Sequence, residues 1–132
     1  MKRGDTKSSC LEIVISGLKP RPKGRPRFVK AKIVNGRFVK GHAYTPSSTR
    51  EYEKQLAWHF RTSCKEPWKG LIDLGIQFHT TSRGDADNLA KAVLDAGNNI
   101  LFLDDSQVVR LTTEKIKSSD EEIHIVMRKV GE

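Results

Sequence analysis

Apolar residues recur along this chain with two different periods. From Gly70 to Thr81 (GLIDLGIQFHTT), Ile72, Leu74, Ile76 and Phe78 alternate with Leu71, Asp73, Gly75, Gln77 and His79, the period of a half-buried strand. Cys10 to Leu18 (CLEIVISGL) is rich in Ile and Val and reads as another strand. Val108 to Lys117 and Glu121 to Val130 alternate again around Ser118-Ser119-Asp120, which predicts a terminal hairpin. The helical period appears twice. Over Ser47 to about Cys64, Tyr52, Leu56, His59 and Phe60 form one stripe; Ser48 or Thr49 is placed to cap it, and Glu51 and Glu53 favour its first turn. Over Asp87 to about Asn98, Leu89, Ala90, Val93, Leu94 and Ala96 fall on the inner side.

The segments between these elements are polar, proline-rich or turn-forming. Lys19 to Phe28 (KPRPKGRPRF) holds three prolines and five basic residues, and proline removes backbone donors, so an irregular basic loop is expected. Phe28 to Val39 (FVKAKIVNGRFV) places short apolar runs on either side of Asn35-Gly36. That dipeptide tolerates positive φ at both turn positions and is the strongest short hairpin signal. Lys30, Lys32, Arg37 and Lys40 then project from a ribbon. Residues 1–9 are polar and are expected to form a disordered tail. No internal repeat or linker divides the 132 residues, so residues 1–132 are expected to form one domain of the α/β (α+β) class: a single mixed sheet with two main helices and β-hairpins.

Charge sharpens this picture. Residues 1–50 carry thirteen Lys/Arg against two acids, whereas residues 51–132 carry eleven against fourteen, so the net charge of +8 is unevenly distributed. A basic half suited to phosphate joined to a half that gathers carboxylates suggests a protein that acts on a nucleic acid rather than one that only binds it. No stretch approaches a membrane-spanning length of apolar residues and no secretory leader opens the chain, so a cytoplasmic protein with no membrane partner is expected. Two cysteines, Cys10 and Cys64, make no disulfide framework and read as reduced thiols. No phosphate-cradling glycine loop appears, so no nucleotide cofactor is expected.

The informative stretch runs from Arg83 to Val108, RGDADNLAKAVLDAGNNILFLDDSQV. Asp85 and Asp87 straddle a strand-to-helix junction, Lys91 lies one helical turn after Asp87 and Asp95 another turn on, and Asp104 and Asp105 precede the next strand. Each has an ordinary alternative: Asp87 as a helix cap, Asp87 and Lys91 as a solvated pair, Asp104-Asp105-Ser106 as a turn, Asp95 as the partner of a neighbouring backbone or basic group. The combination argues for more. Carboxylates gathered on a basic, DNA-directed protein repel phosphate unless a divalent cation occupies them, and Mg²⁺ takes such oxygen ligands. Paired cations then activate water in phosphodiester hydrolysis, with a nearby lysine stabilising the transition state.

The run DADNLAKAVLDAGNNILFLDDSQV resembles the signature of the RusA family of Holliday junction resolvases, D-x-D-N-x-x-K-x-x-x-D followed by D-D-x-Q-V. KPRPKGRPRFVK and YTPSSTREYE resemble its N-terminal part. The likeness runs from about Ile13 to Ile125. It implies a homodimeric, Mg²⁺-dependent endodeoxyribonuclease, with Mn²⁺ as a substitute, that binds four-way DNA junctions and nicks two opposing strands in recombination and repair. It further implies a bacterial or phage-encoded, nucleoid-associated protein. By matched position, it implies metal-binding catalytic roles for Asp85, Asp87 and Asp105 and a catalytic role for Lys91, with supporting roles for Asn88, Asp95 and Asp104.

Lys23, Arg25, Arg27, Lys30, Lys32, Arg37, Lys40 and Arg83 form the expected DNA-contact set, giving affinity through phosphate without base reading. Phe38 and Tyr44 are expected to pack rather than stack on bases. His42, His59, His79 and His124 show no ligand spacing. A two-fold dimer presents two active sites related by a dyad, as paired cuts require, with the last hairpin or the run Ile100 to Leu103 available as interface, the run being equally suited to ordinary core packing. The alternatives are a non-catalytic basic DNA-binding module and a branched or flap DNA nuclease without strict four-way preference.

Overall fold

The computed structural model describes residues 10–23, 27–44 and 47–131, apart from the side chains of 27–29, 42–44 and 47. The expected tail and Arg25 lie outside the described residues, as do the side chains of Arg27 and Tyr44. In chain order the elements are β1 (Cys10–Ser16), β2 (Arg27–Val29), β3 (Lys32–Val34), β4 (Arg37–Val39), β5 (His42–Tyr44), α1 (Ser47–Ser63), β6 (Ile72–Thr80), α2 (Ala86–Gly97), a 3₁₀ turn (Asp105–Gln107), β7 (Val108–Lys117) and β8 (Glu122–Lys129). The fold is α+β, with one mixed sheet and two helices, as the alternation predicts.

The sheet runs β1-β8-β6-β7. β8 pairs antiparallel with both β1 and β6, while β7 lies parallel to β6. The expected terminal hairpin therefore does not form, because β6 stands between β7 and β8. β6 buries Ile72, Leu74, Ile76, Phe78 and Thr80, and a strand so apolar gains most from the centre of a sheet. The turn leading into β8 is fastened across the end of β6. Ser118 N donates to Thr80 O at 3.2 Å, and Glu121 accepts from the hydroxyls of Thr80 and Thr81.

α2 carries the chain from β6 back to the parallel β7, the crossover that parallel pairing requires. One face of the sheet is covered. Ile13, Ile15, Ile123, Ile125 and Met127 join the β6 residues in a core closed by Tyr52, Leu56 and Phe60 of α1 and Leu89, Ala90, Val93 and Ala96 of α2. His59 and Leu94, expected in these stripes, are only half-buried. α1 begins at Ser47, so Ser48 and Thr49 lie inside its first turn, and Glu51 and Glu53 come after that turn. The opposite sheet face is open and polar.

Two short ladders continue one another in a single register. Arg27 stands opposite Tyr44 and Val29 opposite His42, then Lys32 opposite Val39 and Val34 opposite Arg37. The ribbon turns at Asn35 and Gly36, both at positive φ (52° and 77°), the backbone that the Asn-Gly signal calls for. Every residue of β3 and β4 is exposed. Among the described residues, no helix is long and apolar enough to cross a membrane. Cys10 and Cys64 are both free.

Candidate functional site

The carboxylates gather at the two ends of α2. Asp85 is its N-cap residue, in extended backbone, and its carbonyl accepts the first helical bond from Leu89 N at 2.9 Å. Its side chain makes no capping hydrogen bond. Asp87 lies in the first turn rather than at the cap, and its Oδ1 accepts from Asn88 N at 2.9 Å. Both acids sit where the helix dipole favours negative charge. Lys91, one turn on, is exposed.

The strand-to-helix loop is held from beneath. Lys115 Nζ donates to Gly84 O at 3.0 Å and Thr113 Oγ1 to Ala86 O at 3.5 Å, both from β7. Lys23 N donates to Asn88 O at 3.1 Å, so the basic loop also rests on this helix start. A side chain at Gly84 would meet Leu89 and Pro22 at 3.2 Å, which explains glycine there. Lys115 and Thr113 carry no motif, and alternation alone does not single them out.

At the other end of α2, Asp104 caps the 3₁₀ turn by accepting from Ser106 N at 3.0 Å, and the Ser106 hydroxyl, with that backbone bond behind it, holds its carboxyl below the usual aspartate range. Gln107 Oε1 accepts from Leu103 N at 2.7 Å and Asp104 N at 2.9 Å, while Nε2 donates to Trp68 O at 2.9 Å and Gly70 O at 2.8 Å. The D-D-x-Q signature thus divides its labour. Asp104 and Gln107 build the turn and fix it beside the start of β6, leaving Asp105, half-buried, free of a capping role.

The sheet places these two groups of acids apart in one chain: the Asp85 end of α2 rests on Thr113 and Lys115 of β7, whereas Asp105 comes before the first residue of that strand, Val108. α2 has twelve residues, a length of about 18 Å. Two aspartates sharing a cation need Cα atoms within about 12 Å of each other. Among the described residues, no three His, Cys, Asp or Glu side chains converge to hold a metal ion. Asp85 and Asp87 share one end of the helix; Asp105 is at the other.

The basic set divides as well. Lys30, Lys32, Arg37 and Lys40 stand exposed on the ribbon, and Arg83 is exposed beside Asp85. Lys23 is not free for phosphate. Its ammonium lies 2.7 Å from Glu53 Oε2 and 3.0 Å from Asp95 Oδ2, joining α1 to α2. Burial alone would push its pKa down, but hydrogen bonds and charge from the two carboxylates more than offset that and raise it. Asp95 accordingly serves as the partner of a basic group. His79 and His124 stack on the open sheet face at 4.5 Å, with His124 Nε2 2.8 Å from Glu122 Oε1.

Residues 17–128 match the family model described as endodeoxyribonuclease RusA. The chain belongs to the RusA family. A curated relative, "Uncharacterized protein YqaN" of Bacillus subtilis (strain 168), is 40% identical over 63 residues, covering 48% of this chain and 40% of that protein. The matched range spans the whole of β6, α2 and β7.

Proposed function

We propose that this protein is a Mg²⁺-dependent endonuclease that resolves four-way DNA junctions by paired nicks, and that it works as a two-fold dimer whose active sites are each built from both chains. The observation that carries this reading is the separation of Asp105 from Asp85 and Asp87 by the length of α2. One chain alone does not assemble the acid set; a second chain, reversed about a dyad, can.

β7 supports that arrangement. It is the longest strand of the sheet, it forms an edge, and none of its ten residues is buried. Val109 and Leu111 are exposed there, beside exposed Leu103 and Leu71. A long edge strand bearing exposed apolar residues calls for cover. Antiparallel pairing of β7 with its copy brings the start of one strand to the end of the other. Asp105 then meets the end that carries the second chain's α2 N-terminus. An acid set assembled in this way takes a hard, oxygen-ligated cation, which supplies charge neutralisation and an activated water. The chain's own residues grip phosphate through the ribbon and hold Lys91 one turn from Asp87, where its charge stabilises the phosphorane-like state.

The test is a labelled four-way junction, with and without Mg²⁺, beside linear duplex and flap controls. Paired symmetric nicks only with metal, on the junction in preference to the others, are expected. Tight binding without product in either condition overturns the reading in favour of a non-catalytic binding module. Equal cutting of flaps replaces it with a branched-DNA nuclease.

A further inference from the structure

Ile33 and Phe38 stand opposite each other on β3 and β4, one pair back from the Asn35-Gly36 turn. They expose 73% and 72% of their surface, more than any other large hydrophobic side chain among the described residues. The expectation that Phe38 packs internally is therefore not met. Side chains alternate across a two-stranded ribbon, so Ile33 and Phe38 share a face with Ala31 and Lys40, while Lys32 and Arg37 lie on the other. Lys30, Lys32, Arg37 and Lys40 thus surround an apolar tip, and no acid occurs between Lys19 and Lys40.

Exposing an isoleucine and a phenylalanine at the end of an arm that the core does not cover has no folding benefit. Its chemistry fits a polyanion that also offers bare apolar faces. Duplex DNA offers phosphate but buries its base faces in the stack. At a branch point the stack is interrupted, and a ring or branched side chain can insert against the outermost bases, as wedge residues do elsewhere. We propose that Ile33 and Phe38 form a wedge that enters the branch point of the DNA and unstacks the bases there, while the ribbon's cations hold the flanking phosphates. The inference rests on the junction-cleaving reading and assigns branch recognition to residues outside the acid signature.

The double variant Ile33→Ser/Phe38→Ser and the conservative Phe38→Tyr alter only exposed tip positions, so both are expected to melt as the wild type does. Each is titrated, without divalent cation, onto a four-way junction carrying 2-aminopurine at the branch and onto a linear duplex. Wild type and Phe38→Tyr are expected to raise the branch fluorescence by about threefold, and the double variant to lose more than about half of that rise. Duplex affinity is expected to stay within about twofold, because the phosphate contacts remain. An undiminished rise in the double variant overturns the wedge. An equal loss of junction and duplex affinity does so too. Conversion of a wild-type dimer to monomer by the same variant overturns it in favour of a contact between copies. If the wild type cuts junctions with Mg²⁺ yet never raises the fluorescence, the wedge fails and the nuclease reading stands. If it neither binds nor cuts them, both fail.

Discussion

Gln107 donates its side-chain Nε2–H₂ to the carbonyl of Trp68 at 2.9 Å, and this bond ties the turn bearing Asp105 to the strand entry 39 residues earlier in the chain. With a second donation to Gly70 O and two acceptances from Leu103 N and Asp104 N, one neutral amide fixes the position of an acid that it does not touch.

Gln107→Glu keeps the two acceptances and loses both donations. It is expected to lower stability by about 2 kcal/mol, through unpaired carbonyls and a misplaced carboxylate. Cleavage should fall further than the lost stability explains. Urea unfolding of the variant beside its cleavage rate under conditions where it remains folded checks this.

Lys23 and Lys32 carry the same charge and should fail differently. Lys23→Gln leaves Glu53 and Asp95 facing each other and is expected to cost about 1–2 kcal/mol of stability, with an unchanged salt dependence of DNA binding. Lys32→Gln should leave stability unchanged and reduce the slope of log affinity against log salt by about one. Thermal melts and salt titrations of the two variants separate the roles.

If each active site is built from two chains, two inactive variants should rescue one another. Asp85→Asn and Asp105→Asn are each expected to abolish cleavage. After mixing and subunit exchange, half of the dimers combine the two, and each of these holds one intact site, so about a quarter of wild-type nicking should return. A site contained in one chain gives no recovery.

Substituting the edge of β7 should separate the chains. Val109→Glu places a charge on an exposed edge position and is expected to yield a folded monomer without Mg²⁺-dependent cleavage. Sedimentation and circular dichroism read the two outcomes independently.

Glu121 should stabilise the fold in a pH-dependent manner. Its hydrogen bond from Thr80, with help from Thr81 and the charge of Lys19, holds its carboxyl below the ordinary glutamate value of 4.5. A depressed folded pKa contributes stability that is complete above the ordinary value and is lost as pH falls through the folded one. Glu121→Gln should therefore melt below wild type at pH 7, with the difference closing as pH drops below about 4.

Features that depend on neighbours in the chain are legible along it. Alternation set β1 and β6, helical spacing set the inner faces of α1 and α2, and Asn35-Gly36 set a turn that needs positive φ twice. The acid signature was legible for the same reason, since its offsets are local. Features that depend on partners distant in sequence emerge only on folding. Alternation in β7 and β8 is satisfied equally by pairing with each other or with β6. The choice fell to the burial of Ile72, Leu74, Ile76 and Phe78 at the centre of the sheet. Lys23 reads as one more charge in a basic loop until Glu53 and Asp95 close on it from two helices. Phe38 reads as core until its ribbon is seen to end in solvent. The distance between Asp85 and Asp105 follows from the direction of a rigid helix, which spacing along the chain does not convey.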